Sequence, residues 1–162
     1  MSYNIQKYFY LNSTDDPDKY TVTTTYAEIA GSKGPVSCIK SNSKILYKYS
    51  FNCQQETTNG KSFVHVKLQK SNDNFSSNAL DIDGCHFNVS ADTSYSGVDI
   101  YNATINVMFV VDNDSSIGHL RLMIRKYSSS NTSYLHKYDW YDEDYVTDGS
   151  IYYNPTLMIM EI

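Results

Sequence analysis

The fold class predicted for this chain is all-β, an antiparallel β-sandwich or jelly roll, and three observations predict it. Apolar and polar residues alternate in one short run after another, separated by Gly-, Asn-, Asp- and Ser-rich turns, the period-two signature of half-buried strands. No window sustains helical spacing as well, so the crossover helices of a parallel sheet are missing. Sixteen Tyr and a polar fraction rich in Ser, Thr and Asn suit pleated surfaces and turns better than helices. No repeat of fixed period suggests a propeller or solenoid. At 162 residues the chain is long enough for one well-buried core and short for two.

The elements follow in order. Residues 1–20, polar and aromatic with a turn at STDDPDK, read as an N-terminal arm or attachment segment, and residues 21–162 as a head domain. TVTTTYAEIA is a β-branched strand, GSKGP a turn and VSCIK a short strand. In KILYKYSFN, Ile45, Tyr47, Tyr49 and Phe51 share one face, with Lys48 and Ser50 on the other. QQETTNG then closes a predicted hairpin onto KSFVHVKLQK, where Val64, Val66 and Leu68 point inward. ALDIDGCHFNVS reads as a weaker strand pair around Asp83-Gly84. In DIYNATINVMFVVDN, Ile105, Val107, Phe109 and Val111 form one face, while the other turns apolar at Met108 and Val110. This run is expected to form a long hairpin with HLRLMIRKY, whose Leu120, Leu122 and Ile124 point inward.

The last stretch, IYYNPTLMIMEI, is apolar on both sides: Leu157 and Ile159 on one, Met158, Met160 and Ile162 on the other. A strand in a small antiparallel domain normally keeps one wet face, so something covers the second. Met158, Met160 and Ile162 are therefore the candidate oligomer interface, and a covering loop is the rival reading.

Composition excludes several functions. With a formal net charge of −5, a pI near 5.2 and no Lys/Arg block, phosphate neutralisation is a poor fit, and no nucleic-acid partner is expected. The apolar runs are strand-sized, so no membrane span is expected, and the start MSYNIQKYFY lacks a signal-peptide pattern. Synthesis in a cytosol is the corresponding expectation, and the sequons at Asn12, Asn74, Asn88, Asn102, Asn113 and Asn131 read as compositional. Cys38, Cys53 and Cys85 form no CxxC pair and read as buried free thiols.

Candidate chemistry is sparse. His65, His86, His119 and His136 lie on separate elements without ligand spacing. Cys85-His86 reads as a core thiol beside a surface imidazole, because neighbours on a strand face opposite ways. The D-x-D pairs Asp81/Asp83, Asp112/Asp114 and Asp142/Asp144 do not continue as EF-hand loops and read as turn-forming acids. No catalytic residue, metal site or cofactor is assigned. The segment Tyr138 to Tyr145 holds the sole Trp and the densest acids. Flat rings beside carboxylates serve packing, protein contact or sugar binding alike. Tyr138, Trp140 and Tyr141 are the candidate ligand or partner surface, and Asp139 with Glu143 the nominal glycosidase pair.

The order TVTTTYAEIAGSKGPVSCIKSNSKILYKYSFN, then KSFVHVKLQK and a close on TLMIMEI, resembles the C-terminal head domains of tailed-phage fibres and related virion surface proteins. The residues that carry it are Ser43, Lys44, Ile45 and Leu46, with Met160, Glu161 and Ile162. The resemblance implies a jelly-roll head similar to the tumour-necrosis-factor and C1q class, usually a trimer whose inner strands line the three-fold axis. The chain departs from a fibre in having no shaft repeat or heptads before its first predicted strand. The expectation is therefore a non-enzymatic virion structural protein: a trimeric capsid decoration, cement or spike knob, or a fibre head, displayed on the virion surface and made in the host cytoplasm. Its expected partners are copies of itself and other virion or capsid proteins, with a host-surface glycan or receptor as a further contact. The alternative is a lectin-like carbohydrate-binding module using the aromatic segment.

Overall fold

The computed structural model describes residues 4–8, 20–36, 42–58, 61–92, 98–129, 132–141 and 147–162, with backbone alone at 4–8, 56–58, 61–62, 91–92, 98–101, 137–141 and 147–152. Among these described residues twelve strands are formed: β1 (Asn4–Tyr8), β2 (Ala27–Glu28), β3 (Gly34–Pro35), β4 (Lys44–Thr58), β5 (Lys61–Ser71), β6 (Leu80–Asp92), β7 (Val98–Asp112), β8 (His119–Lys126), β9 (Thr132–Leu135), β10 (Lys137–Tyr141), β11 (Thr147–Tyr152) and β12 (Thr156–Glu161). No α-helix occurs among the described residues, so none is long and apolar enough to cross a membrane.

Two antiparallel sheets face each other. Sheet A runs β1-β12-β4-β7, with β9 on the far half of β4; sheet B runs β2-β8-β5-β6, with β3 also on β8. Because β2 and β3 both pair with β8, at Ala27↔Ile124 and Gly34↔Leu120, they are two pieces of one interrupted strand. Counting them so, and treating β9 to β11 as an insertion, the sheets read 1-8-3-6 and 2-7-4-5, the strand order of a jelly roll.

The inward faces are those the alternation predicts. Ile45, Tyr47, Tyr49, Phe51, Val64, Val66, Leu68, Leu120, Leu122, Ile124, Leu157 and Ile159 are all buried in one core. Tyrosines in that core need partners for their hydroxyls. Tyr47 donates to the Ser32 carbonyl at 2.6 Å and Tyr49 to the Ala30 carbonyl at 2.5 Å, both reaching from sheet A to the β2–β3 connection. Tyr47→Phe leaves a buried carbonyl without its donor, and a loss of about 1–3 kcal/mol in urea unfolding is expected. Gly34 marks a close approach of the sheets, where an added Cβ would stand 2.7 Å from Ile159 Cδ1 and 3.0 Å from Leu157 Cδ2. Both neighbours are fully buried, so Gly34→Ala is expected to cost about 1–2 kcal/mol by overpacking, read as a lowered urea midpoint at unchanged slope.

Strand partners differ from those expected. The runs expected to pair as a β4–β5 hairpin lie in different sheets, as do β7 and β8. Instead β4 takes β7 along its whole length, from Lys44↔Asp112 to Thr58↔Val98, and β5 lies between β6 and β8. Alternation specifies which face is buried and not which strand is adjacent; inward faces of consecutive runs interdigitate across a sandwich as readily as they align within a sheet.

Asp83-Gly84 is no turn either. β6 runs straight through it, but the register jumps from Lys67↔His86 to Gln69↔Asp81, leaving Ile82 to Cys85 bulged with Gly84 at φ +74°. Glycine serves a bulge and a turn for the same reason, its access to positive φ. TVTTTYAEIA contributes only β2 and a bridge from Thr21 to Tyr134, and VSCIK lies outside the described residues beyond Val36.

At the N-terminus, within the segment read as an arm, Asn4–Tyr8 is a sheet strand. It pairs with β12 from Asn4↔Met160 to Tyr8↔Thr156; residues 9–19 lie outside the described set.

Candidate functional site

β12 sits between β1 and β4, and strand alternation sends its side chains to opposite sides. Leu157 and Ile159 enter the core, 1% and 0% exposed. Met158 and Met160 point out of sheet A, half-buried, and Ile162 is exposed. The backbones of Ile162 and Lys44 exchange hydrogen bonds at 2.8 and 3.0 Å, so the pairing with β4 continues to the last residue.

Registers show what lies beside these three residues. Met158 is opposite Lys48, which is opposite Met108; Met160 is opposite Leu46, which is opposite Val110. Met108 is 65% exposed and Val110 49%. The two stretches whose second side turns apolar in the sequence, at Met108/Val110 and Met158/Met160, are thus brought to the same outer face on either side of Leu46. An apolar band results. It is bounded at one end by Thr156, Ser50 and Asn106, with a hollow of about 230 Å³ where Lys48, Ser50, Asn106, Thr156 and Met158 meet. At the other end Lys44 and Asp112 form an exposed ion pair at 3.2 Å. Lys48 is the charged side chain within it, and its alkyl stem can lie along methionine surface.

The outer face of sheet B makes the comparison. Arg121 bridges Glu28 (3.2 Å) and Gln69 Oε1 (3.0 and 3.1 Å) and covers Phe75 at 3.9 Å. Lys67 pairs with Asp81 at 2.7 Å, and both Lys67 and Arg125 lie over the Tyr26 ring. His65, Lys67, Asp81, His86 and Asn88 line a polar groove of about 370 Å³ there. That is an ordinary hydrated sheet face, and the band on sheet A is not.

The other half of sheet A is covered differently. Asn52 and Gln54 follow Lys48 and Ser50 on the outer side of β4, yet they are 1% and 0% exposed. β10 packs on β4 and reaches β7 beyond it, so the β10–β11 hairpin crosses this face. Its root is fixed there by Tyr153, whose hydroxyl lies 3.5 Å from Ser50 Oγ. The hairpin pairs Tyr138↔Ile151, Trp140↔Gly149 and Tyr141↔Thr147, with an irregularity between Trp140 and Tyr141. This backbone placement is what the structure gives for the candidate partner surface; the side chains of Tyr138, Asp139, Trp140 and Tyr141, and residues 142–146, lie outside the described set.

The remaining candidates resolve individually. Cys53 and Cys85 are buried free thiols, Cys53 pushed up to about 12 by burial and Cys85 raised for the same reason, so neither is activated. Cys38 is outside the described residues. His86 is exposed beside buried Cys85, as the alternation requires. Asp81 is held below the usual carboxylate range by hydrogen bonds from Lys67 and Gln69, which outweigh its desolvation. Asp114 is lowered by its bonds to Lys70 and Ser116. Among the described residues no three His, Cys, Asp or Glu side chains converge as metal ligands.

The chain is an all-β jelly-roll sandwich whose sheet A carries an apolar band on one half of its outer face and a hairpin insertion over the other half. No protein-family model matches it, and no curated protein does.

Proposed function

We propose that the chain is a non-enzymatic virion structural protein, a jelly-roll knob that assembles as a trimer through the outer face of sheet A. The observation that carries the reading is the apolar band of Leu46, Met108, Val110, Met158, Met160 and Ile162 on the sheet that joins the first and last strands. Contiguous exposed apolar surface of this kind marks an interaction site, and a patch repeated on identical chains is buried by closed symmetry. The sequence resemblance to virion head domains supplies the three-fold symmetry and the setting: a decoration, cement or spike knob on the virion surface, made in the host cytoplasm and contacting other virion proteins.

Sedimentation equilibrium tests the assembly. A mass three times the 18.5 kDa of the chain is expected, and a monomer at high concentration overturns it. Antibodies against the head should label intact particles from the source of the sequence; labelling of the soluble fraction alone would remove the virion assignment and leave the trimer standing.

A second reading is glycan or receptor contact by Tyr138, Trp140 and Tyr141. One observation favours it: β10 and β11 stand outside the eight-strand roll, where an insertion can serve recognition without being required by the fold. Glycan-array binding lost in Trp140→Ala is the expected result, and unchanged binding disposes of it.

A further inference from the structure

His136, between β9 and β10, is fully buried and has φ +64°, left-handed backbone that few residues other than Gly, Asn, Asp and His adopt. Its ring faces the core. Nε2 is 3.2 Å from the Ala30 carbonyl oxygen, Tyr20 and Phe51 meet the ring edge-on at 5.8 and 6.4 Å, and Nδ1 has no hydrogen-bond partner among the described residues. Its backbone holds both legs of the hairpin: the N–H donates to the Asn52 carbonyl at 2.7 Å, and the carbonyl accepts from the Tyr153 N–H at 2.6 Å. One residue is thus a side-chain plug in the core and a backbone clasp for β10 and β11.

We infer that His136 is an acid-sensitive latch, whose protonation withdraws the ring from the core and frees the β10–β11 hairpin from the outer face of sheet A. The neutral ring satisfies its site with Nε2–H donating to Ala30 and a bare Nδ1. Among the described residues, protonation adds an N–H that meets no acceptor and a charge that meets no counter-charge. Among the described residues the titratable groups near the ring are Tyr20, Tyr49, whose hydroxyl shares the Ala30 carbonyl, and Cys53, opposite Leu135 in the β4–β9 pairing. Tyr49 and Cys53 are raised by burial and uncharged throughout the acid range. Glu28, the carboxylate that acts on Tyr49, is engaged by Arg121 on the far side of sheet B.

Desolvation accordingly holds His136 down to about 4 from its ordinary 6.5. The charged ring is relieved by reaching water, and the clasp moves with it. The ladder between β4 and β7 needs neither. Release frees the segment carrying Tyr138, Trp140 and Tyr141 and uncovers Asn52 and Gln54, extending the exposed face of sheet A. None of this depends on the virion reading.

The test is hydrogen–deuterium exchange on the full chain between pH 7.5 and 4.5, expressed as protection factors, with the fluorescence of the sole Trp as a second readout. Opening should rise roughly tenfold per pH unit below 6.5, so 137–141 and 147–153 should lose about a hundredfold in protection by pH 4.5 and stay less protected than β5 and β8, which open only with the whole fold. In His136→Asn, which tolerates the backbone and cannot take the proton, that dependence should vanish; a variant open at every pH supports the latch equally. Undiminished hairpin protection at pH 4.5, hairpin protection equal to that of β5 and β8 at every pH, or an acid response retained in His136→Asn overturns it.

Discussion

Met108→Lys combined with Met158→Lys is expected to leave a folded monomer where the proposed assembly is a trimer. Both side chains project from the outer face of sheet A, one on each side of Lys48, and neither belongs to the core. Lysine keeps a long stem and is tolerated on an exposed strand position, but each new ammonium stands opposite Lys48, so the isolated chain should keep its far-ultraviolet spectrum and lose only about 1 kcal/mol in urea unfolding. In the proposed assembly each replacement would put an ammonium group where methionine would meet another copy, and an uncompensated buried charge costs several kcal/mol. Symmetry repeats the cost at every interface. Mass by light scattering should therefore fall to the single-chain 18.5 kDa at micromolar concentration. The control is Arg125→Ala with His65→Ala on the outer face of sheet B, which should leave the mass unchanged. If the lysine variant stays trimeric, the apolar band is not the interface.

Much of this surface was legible in the sequence, and the reason is local. Whether a side chain faces in or out follows from alternation alone, so the two-sided character of Met158/Met160 and of Met108/Val110 could be read directly. Their meeting on one face could not, because it depends on β4 choosing β12 and β7 as neighbours instead of β5, and that choice is made by the packing of two whole sheets. The cover over Asn52 and Gln54 is likewise non-local: these residues look like the wet side of β4, as Lys48 is, until a hairpin drawn from 137–152 crosses them. His136 escaped for a sharper reason. Strict alternation would send it away from the core that Leu135 enters, but positive φ breaks the pleat, and Leu135 and His136 are both buried in succession.

That buried imidazole sets the second large expectation, the loss of global stability in mild acid. The sign follows from the proton inventory. His136 has its pKa lowered from 6.5 to about 4 by burial, so between those values the unfolded chain binds a proton that the closed native chain refuses. Its contribution is fully present above pH 6.5 and is lost as the pH falls, at about 1.4 kcal/mol per pH unit, for a total of about 3 kcal/mol by pH 4. The depressed carboxylates act in a separate window. Asp81 and Asp114 lie below their ordinary 3.8, and what they contribute is lost only as the pH falls from about that value through their folded pKa. Urea midpoints measured from pH 7.5 to 3.0 should thus decline steadily between 6.5 and 4 in the native sequence and stay nearly flat over that interval in His136→Asn. Asparagine accepts φ +64° and brings no ionisable group, so the variant isolates the proton from the backbone. A decline of the same slope in His136→Asn would assign the acid sensitivity elsewhere, and a decline confined to pH values below 4 would assign it to the carboxylates.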